Sequence, residues 1–186
     1  MKNFLCCVIA LCLLAGACKK NNPDADLPPV TQEGKNTAGC LINGQAFVAK
    51  SYGGGPLSAP IPALQGGFSF DSLYRLSING QVNGQGVEVM LFLRGKKAAL
   101  YQLNRNTLFY PQGDPLYLFS HATYRTVDSG TREVYITNAR HTGQVTLTKA
   151  DVQQGLSAGT FDFTAVSNQD SAKTVIITSG RFDRKR

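Results

Sequence analysis

The sequence predicts an all-β domain, an antiparallel two-layer β-sandwich of about nine or ten strands, with a closed β-barrel as the alternative. Three observations support this fold class. Short runs in which apolar and polar residues alternate recur from Gly39 onward. Turn dipeptides such as Asn43-Gly44 and Asn83-Gly84 separate the runs. No long helical pattern lies between two runs, so a parallel βαβ sheet is disfavoured.

The predicted strands follow one another along most of the chain. Tyr74–Asn79 alternates as a half-buried strand does, and Val87–Arg94 is apolar on both faces, which suits a central strand. The other predicted strand regions are the hairpin at 40–48 and the runs at 100–103, 116–124, 133–137, 144–148, 160–166 and 174–178. Further turns are predicted at Asn79-Gly80, Ser129-Gly130 and Thr142-Gly143.

Two other segments have a different character. Residues 51–67 are predicted as the longest loop, and their glycines lack the Lys-Ser/Thr pair and the following helix of a phosphate loop. One short helical turn is predicted from Thr148, which has capping-box spacing to Asp151, to Gly155, which would end the turn.

Residues 1–17 have the layout of a bacterial lipoprotein signal peptide. Lys2 gives a positive start, an apolar run extends from Phe4 to Leu14, and Ala15-Gly16-Ala17 leads into Cys18. Cys18 is therefore the predicted lipid attachment site, carrying diacylglycerol and palmitate as the mature N-terminus. A plain signal peptide is the alternative, since Ala15 stands where leucine is usual. The apolar run is about half the roughly 20 residues that a transmembrane helix requires.

The rest of the chain divides into a tether and one domain. Residues 18–38 contain three prolines and few apolar side chains, so we expect a flexible tether that cannot offset its ordering entropy. Residues 39–184 form the predicted single β domain. Removal of the signal would also remove Cys6, Cys7 and Cys12. With Cys18 lipidated, Cys40 has no partner and is predicted as a buried residue at a strand start.

The formal net charge is +7, and the basic residues gather at turns and chain ends. They are not interleaved with stacking aromatics on one element, so no nucleic-acid partner is expected. Two interpretations of the basic residues are open. They attract anionic lipid headgroups, at about 1 kcal/mol per basic residue near a membrane surface, or they are solvated charges with no role. The clusters are Lys19-Lys20, Arg94 with Lys96 and Lys97, and Arg181 with Arg184-Lys185-Arg186.

The residue patterns that carry catalysis are weak, so no enzymatic activity and no cofactor are expected. The two histidines are His121, predicted as a packed residue of its strand, and His141, predicted at an exposed turn. No Gly-x-Ser-x-Gly elbow and no metal-ligand spacing accompany them, which disfavours a serine triad and a zinc site. A glycosidase needs two facing carboxylates, and the candidates, which sequence alone does not pair, are Asp71, Glu88, Asp114, Glu133 and Asp162.

Several motifs of the domain resemble those of one family. They are Cys40–Phe47, Tyr101–Asn104, Gly143–Asp151, Ser157–Phe163 with its Gly-Thr-Phe-Asp-Phe sequence, and Val175–Asp183 with its Thr-Ser-Gly-Arg-Phe-Asp sequence. Together they resemble a family of uncharacterised lipoproteins of the Bacteroidetes, over most of residues 39–184. The resemblance implies a β-rich lipoprotein domain, brings no assigned activity, and implies no site residue except Cys18.

The expected function is therefore a non-catalytic binding or scaffolding module anchored in the cell envelope. A β-barrel carrier of a small apolar ligand is the alternative, followed by a glycan-acting hydrolase. We expect a lipid-anchored protein of the outer membrane whose partner is an envelope protein or a glycan. Lys19-Lys20-Asn21-Asn22 after the cysteine, in place of acidic residues, favours the periplasmic face over the cell surface.

Overall fold

Eleven antiparallel strands form one sheet in the computed structural model, which describes residues 23–69, 73–107, 119–126 and 133–186. The all-β antiparallel class is thus confirmed, with eleven strands in place of nine or ten. In chain order they are β1 (Thr37–Ile42), β2 (Gln45–Val48), β3 (Leu64–Phe68), β4 (Tyr74–Val82), β5 (Gln85–Leu93), β6 (Ala99–Gln102), β7 (His121–Thr126), β8 (Val134–Ile136), β9 (Gly143–Asp151), β10 (Leu156–Ser167) and β11 (Thr174–Lys185).

The sheet branches at its longest strands. Its main path runs β2-β1-β11-β10-β8-β7-β5-β4-β3. The first part of β10, Leu156–Phe163, pairs with β9, whereas Val166 and Ser167 at its end pair with β8. Strand β6 pairs with β9. Strand β11 pairs with β10 along its other edge, so β9 and β8 share one edge of β10 and the sheet branches there.

The sheet curls into a half-barrel around one core. Tyr74 of β4 reaches the opposite half, where its hydroxyl lies 3.0 Å from the Ser157 hydroxyl and its ring stacks on Phe182 at 6.1 Å. The fully buried side chains between the halves include Leu91 and Ile177. Apolar burial in this core is the main stabilising contribution to the fold. The choice between a two-layer sandwich and a closed barrel stays a prediction.

Strand β5 is buried on both faces, as the apolar pattern of Val87–Arg94 predicts. Val89 and Leu91 belong to the main core, whereas Glu88, Met90 and Phe92 on the opposite face are also buried. A strand with β4 on one side and β7 on the other has no free edge, which fits its near-continuous hydrophobic sequence.

Two Asn-Gly dipeptides form the predicted hairpin turns and a third does not. Asn43 and Gly44 have φ values of 50° and 82°, and Asn83 and Gly84 have 51° and 80°, the left-handed geometry of tight hairpins. The turn predicted at Asn79-Gly80 is wrong, because both residues lie inside β4. A Cβ at Gly80 would lie 2.7 Å from the Phe47 ring, so glycine permits close packing there.

The helical turn predicted between Thr148 and Gly155 is also wrong. Strand β9 continues to Asp151, and β10 starts at Leu156 after a four-residue hairpin turn. The Asp151 carboxylate accepts a hydrogen bond from the Gln154 N–H at 3.0 Å. The spacing that suggested a helix cap therefore serves a turn between paired strands.

Residues 23–36, which we call the N-terminal strap, pack against the domain. The strap starts with a 3₁₀ helix at Pro23–Asp26, where Asp24 accepts a hydrogen bond from Arg181 at 3.1 Å. Leu27 is buried. The expectation of a flexible coil over 18–38 fails for this stretch, since Leu27 is buried against the domain and polar groups of the strap bond to β11.

Asp183 of β11 is the main attachment point of the strap. Its buried carboxylate accepts hydrogen bonds from the Thr31 hydroxyl at 2.6 Å and from the N–H groups of Glu33, Gly34 and Lys35 at 3.0, 2.7 and 3.2 Å. Burial by itself raises the pKa of Asp183, but these hydrogen bonds outweigh it and leave the pKa below its usual value. The charged carboxylate is therefore the form that holds the strap.

We expect Asp183→Asn to lower the free energy of unfolding by about 2–4 kcal/mol at pH 7, because it leaves strap donors without an anionic acceptor. Since the folded-state pKa is lowered, the wild-type advantage is complete above pH ~4 and disappears as pH falls through the folded-state pKa. Urea unfolding across a pH series measures both effects. Asp162→Asn on the neighbouring strand is the control, and equal effects of the two variants at every pH would contradict the assignment.

Phe161→Ala and Phe163→Ala should each cost ~3–5 kcal/mol of stability, because both rings are buried and the cavities would stay unfilled. Their centroids lie 6.4 Å apart, and Phe161 also contacts Phe182 at 6.3 Å. Ile176→Ala is a matched control, since Ile176 is 51% exposed on the adjacent strand. Thermal unfolding should rank the phenylalanine variants well below the control, and a similar melting temperature for all three would refute the packing assignment.

Candidate functional site

A cleft of about 690 Å³ lies at one end of the half-barrel, which we call the arginine cleft. One wall is formed by β3 and the start of β4, with Gly66–Ser69 and Arg75. The other is formed by the β9–β10 turn, Val152–Gly155, and by Arg184 and Arg186 from the end of β11. The two walls belong to distant parts of the sequence, and the curl of the sheet brings them together.

The alternation of side chains along β11 explains how two arginines reach this cleft. Phe182 is buried in the core, and residues two and four positions later point to the same side of a strand. Arg184 and Arg186 therefore continue the core-facing row beyond the end of the core. The intervening Asp183 faces the strap.

The cleft is electropositive. Three guanidinium groups, of Arg75, Arg184 and Arg186, line it, and none of its described lining residues is acidic. The Nη1 of Arg184 donates to the Asn36 side-chain oxygen at 3.0 Å. Its Nε is buried and has no hydrogen-bond partner among the described residues. Because Arg184 lines the cleft, this N–H can donate to an acceptor bound there.

Tyr74 connects the cleft residue Phe68 to the core. The ring of Tyr74 is fully buried and lies edge-on to the cleft residue Phe68, with 5.2 Å between ring centroids. Burial raises the pKa of Tyr74, while the hydrogen bond with Ser157 and the positive charge of Arg184 oppose that shift. The hydroxyl is therefore protonated and neutral at physiological pH.

The two candidate histidines have structural partners. His121 is buried, as the sequence predicts, with Nδ1 2.9 Å from the Phe119 carbonyl oxygen and its ring stacked on Phe92 at 4.9 Å. Burial lowers the pKa of His121, and the nearby charge of Arg75 lowers it further, against the effect of the Phe119 hydrogen bond. His141 lies in a turn, with Nδ1 3.3 Å from Asn138 Oδ1.

The described candidate carboxylates do not form a glycosidase pair. Glu88 is buried in an ion pair with Arg125, its partner across β5 and β7. Glu133 bonds to Lys173 at 3.1 Å, and strand alternation gives it the opposite face from Glu88. Asp162 is three strand positions from β5 in the sheet order and lies opposite Gln144 on the β9 branch of β10, so it does not face Glu88 as the two carboxylates of a glycosidase do.

Cys40 is buried and unpaired, as the sequence predicts. Burial raises the pKa of its thiol to about 12, which leaves it protonated and inert as a nucleophile. Cys18, Asp71 and Asp114 lie outside the described residues. Within the described ranges, no group of three or more His, Cys, Asp or Glu side chains could hold a metal ion. No helix of that part of the chain is long and apolar enough to cross a membrane.

Sequence reasoning did not identify the arginine cleft. Arg184 and Arg186 belong to a cluster interpreted as solvated charge, and Arg75 stands alone inside a predicted strand. One signal was available: the spacing Phe182-x-Arg184-x-Arg186 places both arginines in the row of a core residue. This spacing does not predict that Arg75 on β4 joins the same cleft.

The comparisons with known proteins give a family and no activity. No curated protein and no solved structure matches the chain. A family model described as a domain of unknown function, DUF6252, matches residues 64–184. The matched region contains β3 to β10 and most of β11, with both walls of the cleft except Arg186. The chain therefore belongs to the DUF6252 family.

Proposed function

We propose that this chain is a lipid-anchored, non-catalytic binding module of the bacterial envelope, and that its β domain binds an anionic group in the arginine cleft. The observation that carries the proposal is the convergence of three guanidinium groups on one cleft, with the buried Nε of Arg184 lacking a partner among the described residues.

The chemistry of arginine suits this role. A guanidinium presents a planar fork of donors that matches the oxygens of a phosphate, sulfate or carboxylate. Low-dielectric walls around a concave site concentrate the field of its charges. The volume of about 690 Å³ lies within the roughly 300–1,000 Å³ typical of small-molecule sites.

The packed interior supports binding at the cleft over transport of an apolar ligand inside a barrel. Side chains from both halves of the sheet meet across the interior, with Tyr74 against Phe182 and Phe161 against Phe163. A carrier would place its ligand where these rings lie. The separation of Glu88 from Asp162 likewise favours a binding role over glycan hydrolysis.

The anchoring part of the proposal rests on the N-terminal sequence. The signal layout before Cys18 and the resemblance to lipoproteins of the Bacteroidetes support lipidation at that residue. Acyl chains contribute about 0.8 kcal/mol per buried methylene, so several chains give stable anchoring. We place the protein at the periplasmic face of the outer membrane, with an envelope component as the source of the anion.

Calorimetric titration of inorganic pyrophosphate into the mature chain in detergent tests the anion site. We expect binding that weakens with added salt, and an approximately tenfold higher Kd in Arg75→Gln and in Arg186→Gln through loss of a charged donor. Arg140→Gln removes one exposed positive charge from a remote turn and should leave Kd unchanged. Equal binding by all four proteins would overturn the proposal.

Mass spectrometry of the mature N-terminus tests the anchor, and a diacylglyceryl Cys18 is the expected species. Cys18→Ser should move the protein from the membrane fraction to the soluble fraction, because the acyl chains are lost. Cys40→Ala, which removes the other mature thiol, should leave it in the membrane. Finding the mature N-terminus at another residue, or membrane retention of Cys18→Ser, would exclude the lipoprotein assignment.

A further inference from the structure

We infer that Asn36, the last residue of the N-terminal strap, is a positioning residue for the arginine cleft. Its side-chain oxygen holds the Arg184 guanidinium in the orientation that meets the anion. The inference rests on the proposed anion site and adds a residue that does not line it.

The contacts of Asn36 tie it to two successive residues of β11. Its Oδ1 accepts one hydrogen bond from Arg184 Nη1 at 3.0 Å and another from the Lys185 N–H at 3.0 Å. Its φ is 55°, a left-handed conformation that asparagine tolerates better than most residues. Asparagine thus combines the required backbone conformation with an acceptor at this position.

The strap fixes Asn36 from its N-terminal side. The backbone N–H groups of Glu33, Gly34 and Lys35 all donate to the Asp183 carboxylate, and β1 starts directly after Asn36 and pairs with β11. The amide oxygen is therefore held between two attachments to the same strand. A group anchored in this way can orient a longer and more flexible side chain.

The consequence for Arg184 is preorganisation. One of its donors is used by Asn36, which sets the plane of the guanidinium and leaves other donors of the fork for a ligand. An arginine ordered before binding loses less conformational freedom when the anion arrives. Removal of the Asn36 oxygen should then weaken anion binding although Asn36 makes no contact with the anion.

The coupling must act in both directions. If the Asn36 contact favours anion binding, the bound anion favours the Asn36 contact by the same factor. The Lys185 N–H donates to the same oxygen, so its amide exchange reports on this contact. The effect on Lys185 distinguishes positioning from a purely structural role, which would not respond to the anion.

The chain offers a matched control at the other end of β11. Asn43 also has a left-handed backbone, with φ 50°, and its Oδ1 also accepts a backbone N–H of β11, that of Ile176 at 2.9 Å. In pyrophosphate titrations, Asn36→Gly should raise Kd about threefold to tenfold, whereas Asn43→Gly should leave it unchanged. Glycine adopts the left-handed backbone at both positions without strain, so backbone strain cannot explain a difference in Kd between the two variants.

Asn36→Asp is a second variant that retains the acceptor and the size of the side chain. Its carboxylate would pair with Arg184 and compete with the anion, so Kd should rise at low salt and the difference should shrink as salt increases. Asn43→Asp is its control. Amide exchange measured by NMR should slow at Lys185 but not at Ile176 when pyrophosphate is added to the wild type.

Arg184→Gln separates the two levels of the proposal. Unchanged pyrophosphate binding in Arg184→Gln, Arg75→Gln and Arg186→Gln would overturn the anion site itself. Weaker binding in those variants, with Asn36→Gly indistinguishable from Asn43→Gly and no anion effect on Lys185 exchange, would overturn only the positioning role of Asn36.

Discussion

The buried carboxylate of Asp183 determines the path of the N-terminal strap, and through it the arrangement of the arginine cleft. A carboxylate away from water requires hydrogen-bond donors, while β11 is paired with β1 on one side and β10 on the other. The strap supplies a hydroxyl and three successive N–H groups. For these N–H groups to converge, the chain adopts φ 79° at Gly34, where a Cβ would lie 2.7 Å from Lys185. Asn36 then reaches Arg184 because the three residues before it are fixed.

The parts of the fold that follow from local sequence were predictable. Alternation and Asn-Gly pairs gave most strands, and the two hairpin turns at Asn43-Gly44 and Asn83-Gly84 have the expected left-handed backbone. The errors share a physical cause, since they concern residues whose role depends on distant contacts. Gly80 serves the packing of Phe47 inside β4. The sequence predicts a loop where β3 lies, because Gly66 and Gly67 interrupt the strand pattern, yet β3 pairs with β4.

The candidate site was not predictable, because it depends on the curl of the sheet. Arg75 and Arg184 belong to strands far apart in the sequence and in the order of the sheet, and they line one cleft only because β4 faces β10 and β11 across the core. The strap was missed for a similar reason. Composition correctly describes residues 23–36 as poor in apolar side chains, but it gives no sign that Asp183 offers them a buried acceptor.

The protonation states of the groups around the cleft give the physical reason for proposing binding over catalysis. A guanidinium stays charged at all physiological pH values, so it donates hydrogen bonds but cannot accept a proton from a substrate. Tyr74, which is buried beside the cleft residue Phe68, is held protonated by burial. The Ser69, Gln153 and Gln154 side chains of the walls form hydrogen bonds without titrating near neutral pH. The arginines and the polar side chains of the walls can hold an anion by donating hydrogen bonds, and none of the described lining residues is a carboxylate or histidine of the kind that acts as a general base.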